Sequence, residues 1–500
     1  MLVPNAVSAE FFHTPAGTGF VDLLINGHRE TWHIRSQRFR TWLRRRHYEE
    51  TRTALNAAEI RSTLDLLGAH AQFDGPERVV HVRLAEHPGH IYLDLADDTW
   101  RAVEIGPEGW RVVGSPPVRF RRAAGLLPLP VPRPGGSIEA LAAFLNLPNR
   151  NDFVLAVAWL LSTLRAGGPF PVLAISGEQG SAKTVLSKLL KALIDPNLAP
   201  VRALVREERD LLIAANNSHV LAFDNLSSLS YALSDAFCRL ATGASFGLRQ
   251  LYTDQDEVLF QATRPILLNS IEDVISRPDL GDRTIFLTLS PIADHHRRPE
   301  RRFWQDFETA RPRILGSLLD AVAHGLRNLP SLSLEQLPRM ADFALWATAC
   351  ETAFWPAGTF ARAYVANRRA AIEDMIEADP VATRVREIVA DRGAWTGSAS
   401  DLLRAGADRF GDSFSNGHTD WPKTPRALAG RLRRAQTLLR TMGIEMTFGR
   451  EGRAGTRTIR INSGFETHPV TTVCTVSTVS RDAPPYGGEQ CSMGTCHRQT

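Results

Sequence analysis

Pro171-Val-Leu-Ala-Ile-Ser-Gly-Glu-Gln-Gly-Ser-Ala-Lys-Thr184 is the stretch whose reading decides the fold. A short apolar strand, Val172 to Ile175, enters a glycine-rich turn. Lys183-Thr184 follows, then a helix with apolar residues at Val185, Leu186, Leu189, Leu190 and Leu193. Strand, turn and helix in that order make a phosphate-binding loop. Its backbone, Gly177, Glu178, Gln179, Gly180, Ser181 and Ala182, cradles phosphates together with the helix N-terminus. Lys183 reaches the β/γ-phosphates and the Thr184 hydroxyl ligates Mg²⁺, so ATP and Mg²⁺ are the expected ligands. One position departs from the G-x-x-x-x-G-K-[ST] pattern, because Ala182 precedes the lysine. Alanine is tolerable there if residue 182 is already near helical φ/ψ. Composition strengthens the motif: of 58 basic residues only Lys183, Lys188, Lys191 and Lys423 are lysine. A compact ammonium fits between phosphates where a planar guanidinium does not. The alternative is a chance Gly/Ser turn before a helix.

His219-Val-Leu-Ala-Phe-Asp-Asn-Leu226 is a second apolar strand ending in an acid. Asp224 would hold the Mg²⁺ shell as a Walker B acid, in a βαβ unit adjacent to the loop; otherwise it caps a helix. Asn225 stands where many ATPases carry a second acid that polarises water, so the base comes from elsewhere or hydrolysis is slow. A third strand, Arg264-Pro-Ile-Leu-Leu-Asn269, ends in an amide suited to orienting water against a γ-phosphate. Ser276-Arg-Pro-Asp-Leu-Gly-Asp-Arg283 then leads into a fourth strand, Thr284 to Leu289. Arg277 and Arg283 are candidates for an arginine finger offered to a neighbour's nucleotide, Arg283 first because it abuts the strand. The alternative is a surface salt bridge with Asp279 or Asp282. Arg339, at a helix start in Leu337-Pro-Arg-Met-Ala-Asp-Phe-Ala-Leu-Trp346, either reaches the nucleotide or serves the surface.

Five hundred residues are too many for one core, and 43% apolar with 22% charged content is that of a globular protein. No apolar run reaches membrane-spanning length, and no basic segment precedes an apolar one at the start, so neither a membrane span nor a signal peptide is expected. Five cysteines (Cys238, Cys350, Cys474, Cys491, Cys496) are few and odd in number, as for reduced cytoplasmic thiols. Nothing near Cys491, Cys496 and His497 completes a four-ligand metal site. From Trp421 to Ile461 there are ten Lys/Arg and two acids. That local balance of +8 against +4 for the whole chain leaves −4 elsewhere, and it points to an anionic partner.

Residues 1–135 read as a small α+β domain. Thr31 to Tyr48 is expected to be a helix, with Arg35, Arg38, Arg40, Arg44, Arg45 and Arg46 interleaved with aromatics. Short strands follow from Val79 to Val113. Either the basic helix meets nucleic acid or phosphate, or it is a solvated face packed through its aromatics. Leu126 to Gly136 is Pro/Gly-rich and reads as a linker. The ATPase core spans 138–290. A hairpin of Phe246–Tyr252 with Val258–Gln261 has an acidic tip, leaving Arg249 as its one candidate DNA contact. Residues 291–378 read as a helical lid.

Residues 380–461 read as a winged helix. Thr424 caps a helix with Pro425 at its first position. Leu428, Leu432, Ala435, Leu439 and Met442 make one apolar face, and Gly443 ends the helix. Arg426, Arg433, Arg434 and Arg440 lie mostly off that face, and Arg450 and Arg453 lie in a basic wing between two strands. Together they are the candidate DNA contacts; a protein-docking winged helix is the alternative. Residues 462–500 have the composition of a disordered tail.

The ordered series of glycine loop, Ala-Ala-Asn-Asn-x-His-Val-Leu-Ala-Phe-Asp-Asn-Leu, Arg-Pro-Ile-Leu-Leu-Asn, Asp-Leu-x-Asp-Arg and Pro-Arg-Met-Ala-Asp-Phe-Ala resembles the ATP-binding proteins of prophages and mobile elements. These are of the primase–helicase type, with a superfamily 3 / AAA+ helicase-like ATPase. The resemblance covers about 138 to 461, and no primase domain is evident in the N-terminal region. It implies an α/β fold: a P-loop NTPase core, helical lid, small α+β N-terminal domain and C-terminal winged helix. It implies that Lys183 and Thr184 bind nucleotide–Mg²⁺, Asp224 is Walker B, Asn269 is sensor 1 and Arg283 is the finger. The implied activity is an ATP-dependent DNA helicase or DNA-dependent ATPase. It would act on single-stranded or duplex DNA in a homo-oligomeric ring, a hexamer by the same analogy, alongside other replication proteins in the cytoplasm. A helicase loader with little hydrolysis, and a winged-helix regulator with a vestigial ATPase, are the other readings.

Overall fold

The computed structural model describes residues 9–243, 245–249, 257–271, 273–275, 277–410, 421–451 and 456–463. Its centre is a four-stranded parallel sheet of Val172–Gly177, Leu221–Leu226, Ile266–Ser270 and Thr284–Leu289. The strands read as near-continuous buried apolar runs, as a sheet covered on both faces requires. Their spatial order is Leu221–Leu226, Ile266–Ser270, Val172–Gly177, Thr284–Leu289. The expected adjacency of the Asp224 strand to the loop strand is therefore corrected. Ile266–Ser270, buried at every residue, lies between them.

The helix Arg150–Thr163 is buried from Phe153 to Thr163, apolar all round rather than on one stripe, so it must sit inside. Helices Glu300–Asn328, Ala341–Glu351 and Thr359–Ala378 share its core. Trp346 Nε1 donates to the Leu161 carbonyl (2.9 Å), tying this bundle together.

The first 120 residues hold two antiparallel sheets. Ala9–His13, Gly19–Ile25 and His28–His33 form one, covered by helices Gln37–Thr51 and Ala57–Phe73 with a core of their own. The expected helix over Thr31–Tyr48 begins only at Gln37. Thr31 and Trp32 belong to a strand, and Ser36 caps the helix by accepting from the Phe39 amide (3.2 Å). The second sheet is the meander Leu84–His87, His90–Asp94, Ala102–Gly106, Gly109–Val113. Leu84, Leu93, Val103 and Ile105 join the core of the parallel sheet.

The run Leu126–Gly136 is not a free linker. The Arg133 amide donates to the Pro312 carbonyl (2.9 Å), Leu129 is buried in the main core, and a Cβ on Gly316 would meet the Arg133 carbonyl oxygen at 1.9 Å. A proline-rich segment without regular secondary structure lies as a strap on the helix Glu300–Asn328, and glycine at 316 permits the approach.

The C-terminal unit has helices Pro380–Arg392, Ala399–Phe410 and Pro425–Thr441 and a core of its own. Thr424 caps the last helix by accepting from the Ala427 amide (3.2 Å), and Gly443 has φ of 76°. Strands Ile444–Glu451 and Thr456–Ser463 pair antiparallel, and Ala394–Gly397, absent from the sequence reading, adds a third. The Ser245–Arg249 and Glu257–Gln261 strands pair antiparallel, as expected of the hairpin; its tip lies outside the described residues. So do Arg453 and residues 464–500. Among the described residues no helix is long and apolar enough to cross a membrane.

The helix Lys183–Ile194 ends at Asp195, whose buried carboxylate joins three segments. It accepts from Arg83 Nε (3.2 Å), Lys191 Nζ (3.1 Å) and the amides of His219 (2.9 Å) and Val220 (3.1 Å). Burial raises the Asp195 carboxyl, and Lys191 and Arg83 outweigh that to hold it below the usual range. The His219 ring donates from Nε2 to the Thr163 carbonyl (2.7 Å), and burial pushes its pKa down to about 4. As pH falls below 6.5 the unfolded chain takes that proton first. The contribution of neutral His219 is thus whole above pH 6.5 and declines toward pH 4, by up to about 3 kcal/mol. His219→Gln, which keeps a donor for Thr163, should show a shallower decline in urea-unfolding free energy between pH 6.5 and 4 than the parent. Parallel curves would show that the ring does not titrate there.

Candidate functional site

The loop strand ends at Gly177, where φ is 142° and a Cβ would strike the Leu289 carbonyl oxygen at 2.4 Å. The chain turns through Gly180 (φ 86°) and reaches Ala182 at φ 66°, ψ 26°. The helical φ/ψ expected for Ala182 is corrected: the residue is left-handed, a conformation costing an L-residue about 1–2 kcal/mol. That is why the pattern usually has glycine here. The cost is borne because the loop is held from three sides. Ser181 Oγ donates to the Glu178 carbonyl (2.8 Å), Asn146 Nδ2 donates to the carbonyls of Ser181 (3.0 Å) and Ser290 (2.7 Å), and the Ile292 amide donates to Gly180 (3.3 Å).

Lys183 opens the helix and folds back, donating from Nζ to the carbonyls of Gly177 (2.6 Å) and Glu178 (2.8 Å). Partial burial lowers its ammonium below the ordinary value, and the Asp224 carboxylate opposes that shift. Thr184 Oγ1 donates to Asp224 Oδ1 (3.1 Å), and Asn269 Nδ2 donates to the same oxygen (2.6 Å). Lys183, Thr184, Asp224 and Asn269 are therefore brought together, at the carboxyl ends of three parallel strands. Hydroxyl and carboxylate oxygens facing each other are a hard-donor set of the kind Mg²⁺ takes. Glu178, Gln179 and Gly180 are exposed at the rim.

Asn225 is exposed, has φ of 57° and lies in a register shift between Phe223 and Leu226. Asparagine is among the few residues that take this conformation readily. Arg283 and Arg339 are not brought to the loop. Arg283 is at the opposite end of the sheet, where its carbonyl accepts from the Val172 amide (2.9 Å), about 16 Å of strand from Gly177. Its guanidinium pairs with Asp279 (2.5 Å), and Arg339 pairs with the same carboxylate (2.7 Å). Arg339 is thus held at Asp279 and not at the glycine loop of its own chain. Arg277 pairs with Asp235 and lies over the Tyr231 ring.

Three residues near the loop were not singled out in the sequence. Asn146 is distant in sequence and lies among ordinary turn residues. Arg297 approaches Gly180, its guanidinium 3.7 Å from where a Cβ would stand. Asp273, raised by burial, hydrogen-bonds Ser176. Arg297, in the run His295-His-Arg-Arg after the fourth strand, and Asp273, in Glu272-Asp273 after the third, carried a charge signal; Asn146 carried none.

On the C-terminal unit, Arg426, Arg433, Arg434 and Arg440 are exposed on Pro425–Thr441, off the face of Leu428, Leu432, Ala435 and Leu439. Arg433 lies over the Phe448 ring (5.1 Å), and Arg450 is exposed on the strand Ile444–Glu451. Arg426, Arg434, Arg440 and Arg450 have no ion pair among the described residues.

The left-handed Ala182 gives a direct expectation. Ala182→Gly should raise unfolding stability by about 0.5–1 kcal/mol, the left-handed strain relieved less the extra freedom of an unfolded glycine. A loss of stability on urea titration would contradict the assigned backbone.

Residues 138–378 match the family model described as actinomycete integrative conjugative element replication protein, and residues 381–472 match that of the AICE RepA C-terminal domain. No curated protein matches the chain. Solved structures of the apo C-terminal region of NrS-1 are similar at low level. An A-form structure has 11% identity and a TM-score of 0.39, and covers 91% of this chain and 96% of that one. A second has 12% identity and a TM-score of 0.38 over the same shares. At these scores nothing about function follows from the likeness. Over residues 138–378 and 381–472, then, the chain is similar to the replication proteins of a class of mobile element, the integrative conjugative elements of actinomycetes.

Proposed function

We propose that this chain is an ATP-hydrolysing DNA helicase or DNA-dependent ATPase serving the replication of a mobile element. The observation that carries the reading is the meeting of Thr184, Asp224 and Asn269 beside Lys183 at the end of a glycine loop. The fit of the residues supports ATP with Mg²⁺. The exposed turn Glu178–Gly180, where Gly180 lacks a Cβ, would take phosphate, and Thr184 with Asp224 would hold the ion. Bound Mg²⁺ neutralises phosphate charge. Lys183 exchanges its two carbonyl acceptors for phosphate oxygens. Asn269, already donating to Asp224, orients water at the γ-phosphate, and Arg297 over Gly180 adds a further cation.

Arg283 and Arg339 cannot serve the loop of their own chain. Their distance favours an assembly in which one copy's Arg283 meets its neighbour's nucleotide, as in a homo-oligomeric ring of the hexameric kind. There Arg283 would leave Asp279 and stabilise transition-state charge. The C-terminal unit is read as a winged helix whose Arg426, Arg433, Arg434, Arg440 and Arg450 contact DNA phosphates. The match of residues 138–472 to mobile-element replication proteins supports this setting.

A second reading is favoured by Asn225: an ATP-switched loader that binds DNA and recruits a helicase. No carboxylate stands at that position to polarise water. Nucleotide binding without turnover, with or without DNA, would favour the loader.

The motor reading predicts DNA-stimulated ATP turnover. Arg283→Ala should bind ATP as the parent does and lose turnover on the order of 10³-fold. Mixing it with Lys183→Ala should recover activity, since some interfaces then pair an intact loop with an intact arginine. A mixture as silent as its components would contradict the shared site.

A further inference from the structure

Between the helices Gln37–Thr51 and Ala57–Phe73 lies a cleft of about 430 Å³. Arg35, Arg40, Arg44 and Arg61 line it, with Ile60 and Leu64 as an apolar floor and Asp65 as its one carboxylate. Asp65 is spent on Arg35 (3.0 Å). Arg40, Arg44 and Arg61 have no ion pair among the described residues, and Arg40 Nε is buried without a hydrogen-bond partner. Arginines on the other sides of the first helix are paired instead: Arg38 with Glu30 (2.7 Å), Arg45 with Glu49 (2.8 Å) and Arg46 with Glu50 (2.9 Å). Unpaired cations are thus gathered on one cleft, where they repel one another until an anion enters.

We propose that this cleft is a second nucleic-acid contact, holding the phosphodiester backbone of single-stranded DNA without reading its bases. Arg40 and Arg44 stand one helical turn apart, about 6 Å, on one face, and Arg61 faces them from the second helix. Guanidinium forks in such a row suit successive phosphates. Every polar group lining the cleft except Asp65 is an arginine, so the cleft positions a strand and carries no base readout. Tyr48, four residues beyond Arg44 on the same face and 52% exposed, offers a ring for an unpaired base, which favours a single strand over a duplex. The cleft lies outside the residues matched by the replication-protein families. The inference shares with the proposed function only the premise that the protein works on DNA.

The test is fluorescence anisotropy of a labelled oligothymidylate with the full chain, between about 50 and 200 mM salt. Arg40→Gln/Arg44→Gln/Arg61→Gln is compared with the parent and with Arg433→Gln/Arg434→Gln. The triple variant should bind about tenfold or more weakly. Its log–log salt slope should shrink by about 2, from three lost contacts at about 0.7 each. DNA-independent ATP turnover should stay at the parent level, so a parent without turnover would sink the motor reading and leave this test readable. Arg44→Gln alone, at an exposed position, should shrink the slope by about 0.7 and serves if the triple variant does not fold. Unchanged affinity and slope in the N-terminal variants overturn the proposal. So does a parent that does not bind, or a loss confined to blunt duplex.

Discussion

The carboxylate of Asp195 is the constraint on which the rest of the structure depends. It closes the helix whose first residues are Lys183 and Thr184, and it does so at zero exposure, among Arg83, Lys191 and the amides of His219 and Val220. Taking such charges out of water costs several kcal/mol per ion, offset only when every partner is in place. Arg83, itself fully buried at φ 64°, also donates to the carbonyls of Asp94 (2.8 Å) and Leu127 (2.8 Å). The N-terminal meander, the proline-rich strap, the loop helix and the Asp224 strand are thereby referred to one point.

Strand register does the rest. Ile175 lies level with Asn269, and Phe223 with Leu268, so Asp224 enters the register shift that follows Phe223 within reach of the Asn269 amide (2.6 Å). The interposed strand thus delivers an amide between the loop and the acid. The same register carries Arg283 to the far end of the sheet, next to Val172. One parallel sheet therefore separates a site rich in acceptors and amides from an arginine pair held on Asp279.

What was legible in the sequence is what local pattern encodes. The glycine loop, the acid after Phe223 and the amide after Leu268 each sit at the end of a short apolar strand. Thr424-Pro425 and Gly443 bracket a helix by capping chemistry alone. Strand order was not legible, because a buried five-residue run reads the same at a sheet's centre or edge. The handedness of Ala182 depends on Asn146 and Ser290, far off in sequence. Leu126–Gly136 has the composition of a linker whether it is solvated or laid on a helix, and only Gly316 on the partner helix reveals the contact. The salt bridge of Arg283 with Asp279 was legible as the alternative to a finger, four residues apart in one short run, whereas nothing local showed that Arg339, 60 residues on, shares that carboxylate.

The central claim is that Lys183, Thr184 and Asp224 form a nucleotide site. Equilibrium titration of ATP with Mg²⁺ into the parent and Lys183→Ala tests it most directly, because it needs neither turnover nor assembly. Losing a charged hydrogen-bond donor to phosphate should weaken binding by at least about tenfold, and chelating Mg²⁺ should weaken the parent as well. Equal affinity in both proteins, with no dependence on Mg²⁺, would contradict the account.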